Sequence, residues 1–345
     1  MKYIVIGNFA GITNQLCGQS VKTRSIYNLA KEIIPTIDYF DTQNISYNKL
    51  SIFTMLWKFC ISDYVIYLPA ARNMTWFFPI FYLLSLFSRT NILQFEIGNW
   101  MVDLLAEKPI HRWMLGRINQ FYAETQNSKR ELECLYNLKN ISIFSNFRYF
   151  NFKRTEISRS KDDSKLRLVF CARINRKKGL DYIFSLGDYL IKESLDKIVT
   201  ITFYGPVFEK DKEYFFNNLN KYSFMKYGGM LQQNLISEKL QSYDCMLLPT
   251  QYYTEGLPGS IIDAYIVGIP VIVTKWKNAE EYVKNDITGI IVPFKDGQKE
   301  FNQSIVELIY NKEKLQFLKD NAYNYRQNFH SSLALIKLRD ILSLQ

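Results

Sequence analysis

The sequence predicts an α/β fold built from two parallel-sheet domains, and three observations carry that expectation. Short apolar runs alternate with helical stretches along both halves of the chain. Its 345 residues are long for one domain and comfortable for two, and 48% apolar with 16% aromatic residues suffices for two cores. Between the halves, Lys153 to Lys165 is polar and without apolar periodicity, as a linker should be.

In the first half, Lys2–Ile6 reads as a strand, followed by the loop Gly7–Gln15, the segment Leu16–Gln19 and a helix near Ser20–Ile33. Gly11 in that loop permits close backbone approach to a ligand, although a plain turn glycine has the same signature and the spacing is not GxGxxG. Further strands are expected at 64–68, 91–95, 122–125 and 141–144, with helices at 74–88 and 129–136. Trp76–Phe87 is apolar but only about a dozen residues long and interrupted by Pro79, short of the roughly twenty that cross a bilayer. It reads as a crossover helix packed on the sheet.

The second half opens with a strand at Leu166–Ala172, a loop Arg173–Lys178 and a helix Leu180–Lys192. Strands recur at 198–204 and 244–248. Between them come a short turn at Tyr227–Met230 and a helix at Gln233–Ser242. The stretch Cys245–Pro293 is the most informative. An apolar run stops at Pro249, a polar loop runs from Thr250 to Glu255, and Gly256–Ser260 opens a helix Ile261–Val267 ended by Gly268. A second run, Ile269–Val273, is β-branched like a buried parallel strand. This is a βαβ unit whose loop lies at the carboxyl end of a strand, where open α/β sheets bind ligands. Pro258 suits the first helical turn, and free amides of Gly259, Ser260 and Ile261 favour an anion, most often phosphate.

Charged residues cluster around the same place. Glu255 precedes the helix and Asp263 lies inside it, so both carboxylates can face one crevice. Each is equally a carboxylate complementing a helix dipole. Arg173 ends a strand and Lys178 follows five residues later, before a glycine-opened helix. Both cations can converge above the sheet, or the loop can be a solvated basic surface. Arg clamps two phosphate oxygens while Lys supplies a point charge. No Asp-x-Asp pair occurs, and His111 and His330 stand far apart without carboxylates at ligand spacing, so no metal site is expected.

Net charge is +10 and uneven: residues 1–160 hold 18 Lys/Arg against 11 Asp/Glu, and residues 161–345 hold 25 against 22. A basic first half suits an acidic membrane surface or a phosphorylated acceptor, or is merely a solvated surface. Dispersed cations and the lack of a nucleic-acid motif argue against nucleic acid. Five scattered cysteines read as reduced thiols of a cytoplasmic protein, and Met1–Gly7 reads as a strand, with no signal peptide expected.

Glu255-Gly256-Leu257-Pro258, an acid eight residues after the Glu, Ala264, Gly268-Ile269-Pro270-Val271-Ile272 and Thr288-Gly289-Ile290-Ile291-Val292-Pro293 together resemble the donor-site signature of retaining glycosyltransferases of family 4. The resemblance implies the GT-B fold, two Rossmann-like domains facing each other across a cleft. Residues 1–160 would be the acceptor domain, ended by a turn at Ser145–Arg148, and 161–324 the donor domain, with a helix in 325–345 crossing back to the first. It implies that Arg173 and Lys178 hold the donor diphosphate. Glu255 would bond sugar hydroxyls and face the charge growing at the ring, Asp263 would accept from the ribose hydroxyls, and Gly11 would face the donor phosphates. The family usually has Glu where Asp263 stands, and the shorter side chain ends about 1.5 Å earlier. Gly18–Arg24 resembles the start of the first helix in bacterial polysaccharide glycosyltransferases, while Lys22 and Arg24 also fit plain surface charges.

The implied activity is metal-independent, cofactor-free transfer, with retention, from a nucleoside-diphosphate sugar to a polysaccharide or lipid-linked glycan acceptor. Uridine is the expected base, and the setting is capsule or O-antigen synthesis. The protein is expected in the cytoplasm, in peripheral contact with the anionic inner face of the membrane. Two other readings stay open: a GT-B nucleotide-sugar epimerase, and a non-catalytic sugar-nucleotide-binding partner of a polysaccharide assembly complex.

Overall fold

The computed structural model describes residues 1–13, 17–153 and 165–343. Residues 154–164 of the expected linker, Asn14–Leu16 of the first loop and segment, and the last two residues of the expected returning segment 325–345 lie outside the described residues, as does the expected domain boundary at 160. The chain forms two units, Met1–Arg148 with Phe329–Gln345, and Tyr149–Asn328. Phe150, in the second, has its ring 5.6 Å from the buried guanidinium of Arg326.

The strands of the first unit are β1 (Tyr3–Gly7), β2 (Asp38–Asp41), β3 (Tyr64–Leu68), β4 (Asn91–Phe95), β5 (Gln120–Ala123) and β6 (Ile141–Ile143). They lie in the order β2-β1-β3-β4-β5-β6, every neighbouring pair parallel. β1 and β3 are buried along their whole length, which is why they read as unbroken apolar runs. The helices are α1 (Gly18–Ile33), α2 (Asn44–Tyr47), α3 (Ser51–Cys60), α4 (Ala71–Ser88), α5 (Met101–Glu107), α6 (Pro109–Leu115) and α7 (Gln126–Tyr136). One face of the sheet is covered by α1 through Ile26, Leu29 and Ala30, together with Ala334, Leu338 and Leu342 of the C-terminal helix α15 (Ser331–Ser343). The expected return of the C-terminal helix is thus observed. The opposite face is covered by α3 to α7, through Met55, Phe59, Phe78, Phe81, Leu105, Leu115 and Leu132.

The apolar run 76–87 is the crossover helix α4, longer at its start than expected. Its internal Pro79 has no N–H for the Thr75 carbonyl one turn back. His111 Nε2 donates to that carbonyl at 3.0 Å, filling the gap from α6. No helix among the described residues is long and apolar enough to cross a membrane.

The second unit has β7 (Leu166–Cys171), β8 (Val199–Tyr204), β9 (Met225–Tyr227), β10 (Cys245–Leu248), β11 (Val271–Thr274) and β12 (Gly289–Val292). The order is β12-β11-β10-β7-β8-β9, again parallel throughout. Its helices are α8 (Leu180–Lys192), α9 (Lys212–Leu219), α10 (Ile236–Leu240), α11 (Gly259–Val267), α12 (Ala279–Tyr282), α13 (Gln298–Tyr310) and α14 (Lys312–Tyr325). Two expectations need correction. The turn expected at 227–230 begins inside the edge strand β9, only three residues long and centred on exposed Lys226. The helix expected at 233–242 is a 3₁₀ turn, Gln233–Leu235, running into the short α10.

Candidate functional site

In the second unit the loops at the carboxyl ends of β7 and β10 are pressed together by one backbone contact. Gly179 has φ +93°, and a Cβ there would stand 2.0 Å from the Pro249 carbonyl oxygen, so only glycine lets α8 start against the end of β10. The contact is stitched by the Gln251 N–H, which donates to the Lys177 carbonyl at 2.8 Å. Asn175 accepts from the Lys178 N–H at 2.9 Å and caps the one-turn 3₁₀ helix Arg176–Lys178. Held this way, Lys178 Nζ forms an ion pair with Glu255, reached from 77 residues along the chain. The two side chains are 22% and 17% exposed, so the pair is neither sealed nor fully screened. The Thr250 hydroxyl lies 3.4 Å from the same carboxylate.

Sequence reasoning missed Asn278. It is buried at the start of α12, and its Nδ2 donates to the Glu255 carbonyl at 2.8 Å, fixing the loop that carries the carboxylate. An Asn one residue before a short helix was the available signal, but there it reads as a cap; here the side chain does not cap.

The other expected residues fare differently. Arg173 follows β7, is exposed, and makes no hydrogen bond or ion pair among the described residues. Arg176, next in the same basic loop, is committed: it pairs with Asp181 at 3.0 Å and lies 4.7 Å from the Tyr214 ring. At α11, Pro258 is the extended residue before the helix rather than part of its first turn. The Ile261 N–H donates to the Pro258 carbonyl at 3.0 Å, so the expected trio of free amides is a pair, Gly259 and Ser260. Half-buried Asp263, on α11, is close enough to Cys171 at the end of β7 for its charge to be felt there. Burial and then the negative charge of Asp263 push the Cys171 thiol up to about 12.

Gly11 lies in the first unit and its amide is in use. The carboxylate of Asp41, at the end of β2, accepts from the N–H of Gly11 at 2.8 Å and of Phe9 at 3.0 Å. Arg24 and Lys22 are not plain surface charges. Arg24 Nε donates to the Phe9 carbonyl at 2.6 Å. Lys22 is 1% exposed, donates to the Glu96 carbonyl at 2.8 Å and pairs with Glu124 at 3.4 Å. Burial raises the Glu96 carboxyl to about 8, against the lowering effect of the Glu124 N–H and the Ser128 hydroxyl that donate to it. Among the described residues, no group of three or more His, Cys, Asp or Glu side chains is arranged to hold a metal ion.

Comparison with known proteins follows the same division. Residues 152–325 match the family described as Glycosyl transferases group 1. An uncharacterized glycosyltransferase of Methanocaldococcus jannaschii is 26% identical over 175 residues, 50% of this chain and 43% of the relative. The amylovoran biosynthesis glycosyltransferase AmsK of Erwinia amylovora is 26% identical over 137 residues, 39% of this chain and 33% of the relative. The matches thus span less than half the length of these curated relatives. The crystal structure of Anabaena HepE in complex with UDP-glucose superposes with a TM-score of 0.75 at 13% identity, over 100% of both chains, which is a likeness of fold. That fold is GT-B, with two parallel six-stranded sheets flanked by helices. Since the match takes in half of its residues and the whole of the Lys178–Glu255 region, the chain belongs to the glycosyl transferases group 1 family.

Proposed function

We propose that this protein is a retaining glycosyltransferase of family 4. In this reading it moves a sugar from a UDP-linked donor to a polysaccharide or lipid-linked glycan at the inner face of an anionic membrane, without a metal. The observation that carries it is the half-buried Lys178–Glu255 ion pair, four residues before a helix whose first two amides have no partner among the described residues. The pair keeps both charges compensated until a donor arrives. Lys178 then exchanges Glu255 for a diphosphate oxygen, Arg173 clamps the same group, and the Gly259 and Ser260 amides take up charge as it departs. Released, Glu255 bonds sugar hydroxyls and faces the developing positive charge, and Asp263 accepts from the ribose.

Retention follows if the acceptor oxygen bonds to the anomeric carbon on the face from which the diphosphate leaves. The bond to the phosphate oxygen breaks, and that oxygen takes the acceptor's proton, so no dedicated protein base is required. Uridine as the base is supported by the HepE complex, and a polysaccharide product by the naming of AmsK. An epimerase would need acid and base side chains around the sugar. Neither histidine serves: His111 fills the gap at Pro79, and His330 bonds Ser332.

Thermal denaturation with UDP in the presence of a chelator tests the reading. UDP at a hundred times its Kd should add about 2.7 kcal/mol. No stabilisation by any nucleoside diphosphate removes the donor site. Stabilisation with no turnover across donors and acceptors leaves only the non-catalytic reading, and isomerisation of donor sugar without acceptor, seen by NMR, the epimerase.

A further inference from the structure

The outer side of the helical layer α3–α4–α6 is apolar where a solvated surface should be polar. On α4, Trp76, Ile80, Leu83 and Phe87 follow at i, i+4, i+7 and i+11, one stripe turned away from the buried Met74, Phe78, Phe81 and Tyr82. Trp76 is 68% and Phe87 86% exposed. Phe53 and Trp57 on α3, 67% and 60% exposed, and Ile110 and Trp113 on α6 extend it to both sides. The three helices are held in register. Phe59 and Phe81 stack at 4.6 Å between α3 and α4, Tyr82 meets Trp113 edge-on at 5.7 Å, and the His111 bond at Pro79 ties α6 to α4. Three of the five tryptophans thus stand on one rigid, uncovered face, and contiguous exposed apolar surface of this kind marks an interaction site.

Charge identifies the occupant. α3, α4 and α6 contain no Asp or Glu, and none occurs between Asp63 and Glu96. Cations stand at the helix ends instead: Lys49 before α3, Arg72 and Arg89 at the two ends of α4, Lys108 before α6 and Arg117 after it, its guanidinium 4.1 Å from the Trp113 ring. The acids of this layer sit aside, Asp103 and Glu107 on α5. Tryptophan and phenylalanine amid lysine and arginine suit the boundary between acyl chains and anionic headgroups, where the rings enter and the cations stay at the phosphates. A second copy of this chain would bring the same cations against each other.

We propose that the α3–α4–α6 face docks on an anionic lipid bilayer, with Trp76 and Phe87 entering the interface. This rests on the membrane setting of the proposed function and gives it a place. The full chain would be sedimented with phosphatidylcholine vesicles, with and without phosphatidylglycerol, while tryptophan emission and its quenching by brominated lipid are recorded. Binding to phosphatidylglycerol vesicles with a blue shift and quenching is expected. Both should weaken about tenfold or more in the double variant Trp76→Ser, Phe87→Ser, whose exposed positions leave the fold, checked by circular dichroism, intact. No binding overturns the proposal, as does binding with unchanged emission that the double variant retains. A dimer seen by sedimentation equilibrium that the same variant dissociates, without vesicle binding, assigns the face to a second copy instead. Melting with UDP in the same samples separates the two readings. A UDP shift without vesicle binding removes the docking face and leaves the donor site, and vesicle binding without a UDP shift does the reverse.

Discussion

Both units place a lysine and a glutamate at the carboxyl edge of a six-stranded parallel sheet, yet the two pairs are in different physical states. In the first unit Lys22 and Glu124 are 1% and 4% exposed, and Lys22 also bonds the Glu96 carbonyl, tying α1 to the ends of β4 and β5. In the second, Lys178 and Glu255 are 22% and 17% exposed, with Arg173, in the same basic loop, unpartnered among the described residues. A sealed pair cannot be exchanged for a ligand without leaving a buried charge uncompensated, whereas a half-open pair can. One topology and one pair of residue types thus yield a lock in one unit and a candidate site in the other, and burial makes the difference.

The contrast is most easily broken through stability. Lys22→Ala takes a buried cation away from the side of Glu124 and is expected to cost about 3–5 kcal/mol in urea unfolding. Lys178→Ala, at a half-open pair, should cost under about 1 kcal/mol; similar losses for the two would dissolve the distinction. Transfer assays should show the reverse ranking for the second unit: Lys178→Ala, tested with intact fold, is expected to lower turnover by about 10²–10³-fold. Near-normal turnover would take Lys178 out of the mechanism.

The Glu96 carboxyl sharpens the comparison through pH. Its native pKa of about 8 exceeds the ordinary 4.5, so between those values the folded protein binds more protons than the unfolded chain. Stability should therefore fall as pH rises through that window, by about 1.4 kcal/mol per pH unit for this group. Glu96→Gln should flatten the slope by that amount, and an unchanged slope would mean that Glu96 titrates normally. The smallest effect is expected at His111→Ala, about 1 kcal/mol of unfolding free energy, because the Thr75 carbonyl loses its donor at the Pro79 gap. A neutral substitution would show that water replaces the imidazole.

Legibility in the sequence followed burial. β3, β4 and α8 were readable to the residue because both-face burial or a clean amphipathic period leaves a strong pattern. β2 and β9 sit at sheet edges; Asp38-Tyr39-Phe40-Asp41 and Met225-Lys226-Tyr227 are too short and too polar to alternate. Of the candidate site, the meeting of Lys178 and Glu255 was legible from motif and spacing, and of Asp263 only its place on α11. Asn278, the Asp41 grip on Gly11 and the Pro258–Ile261 bond were not, since each joins groups whose types fit several partners.

What the amino-acid order determined by itself was the alternation of strand and helix and the placing of Arg173, Lys178, Glu255 and the α11 amides between a strand and the helix that follows it, because periodicity and turn chemistry act over a few residues. Only the tertiary structure decided which of the charges are sealed and which stay within reach of water. Lys22 and Lys178 are alike along the chain, and what separates them is the water that each fold of the backbone lets in.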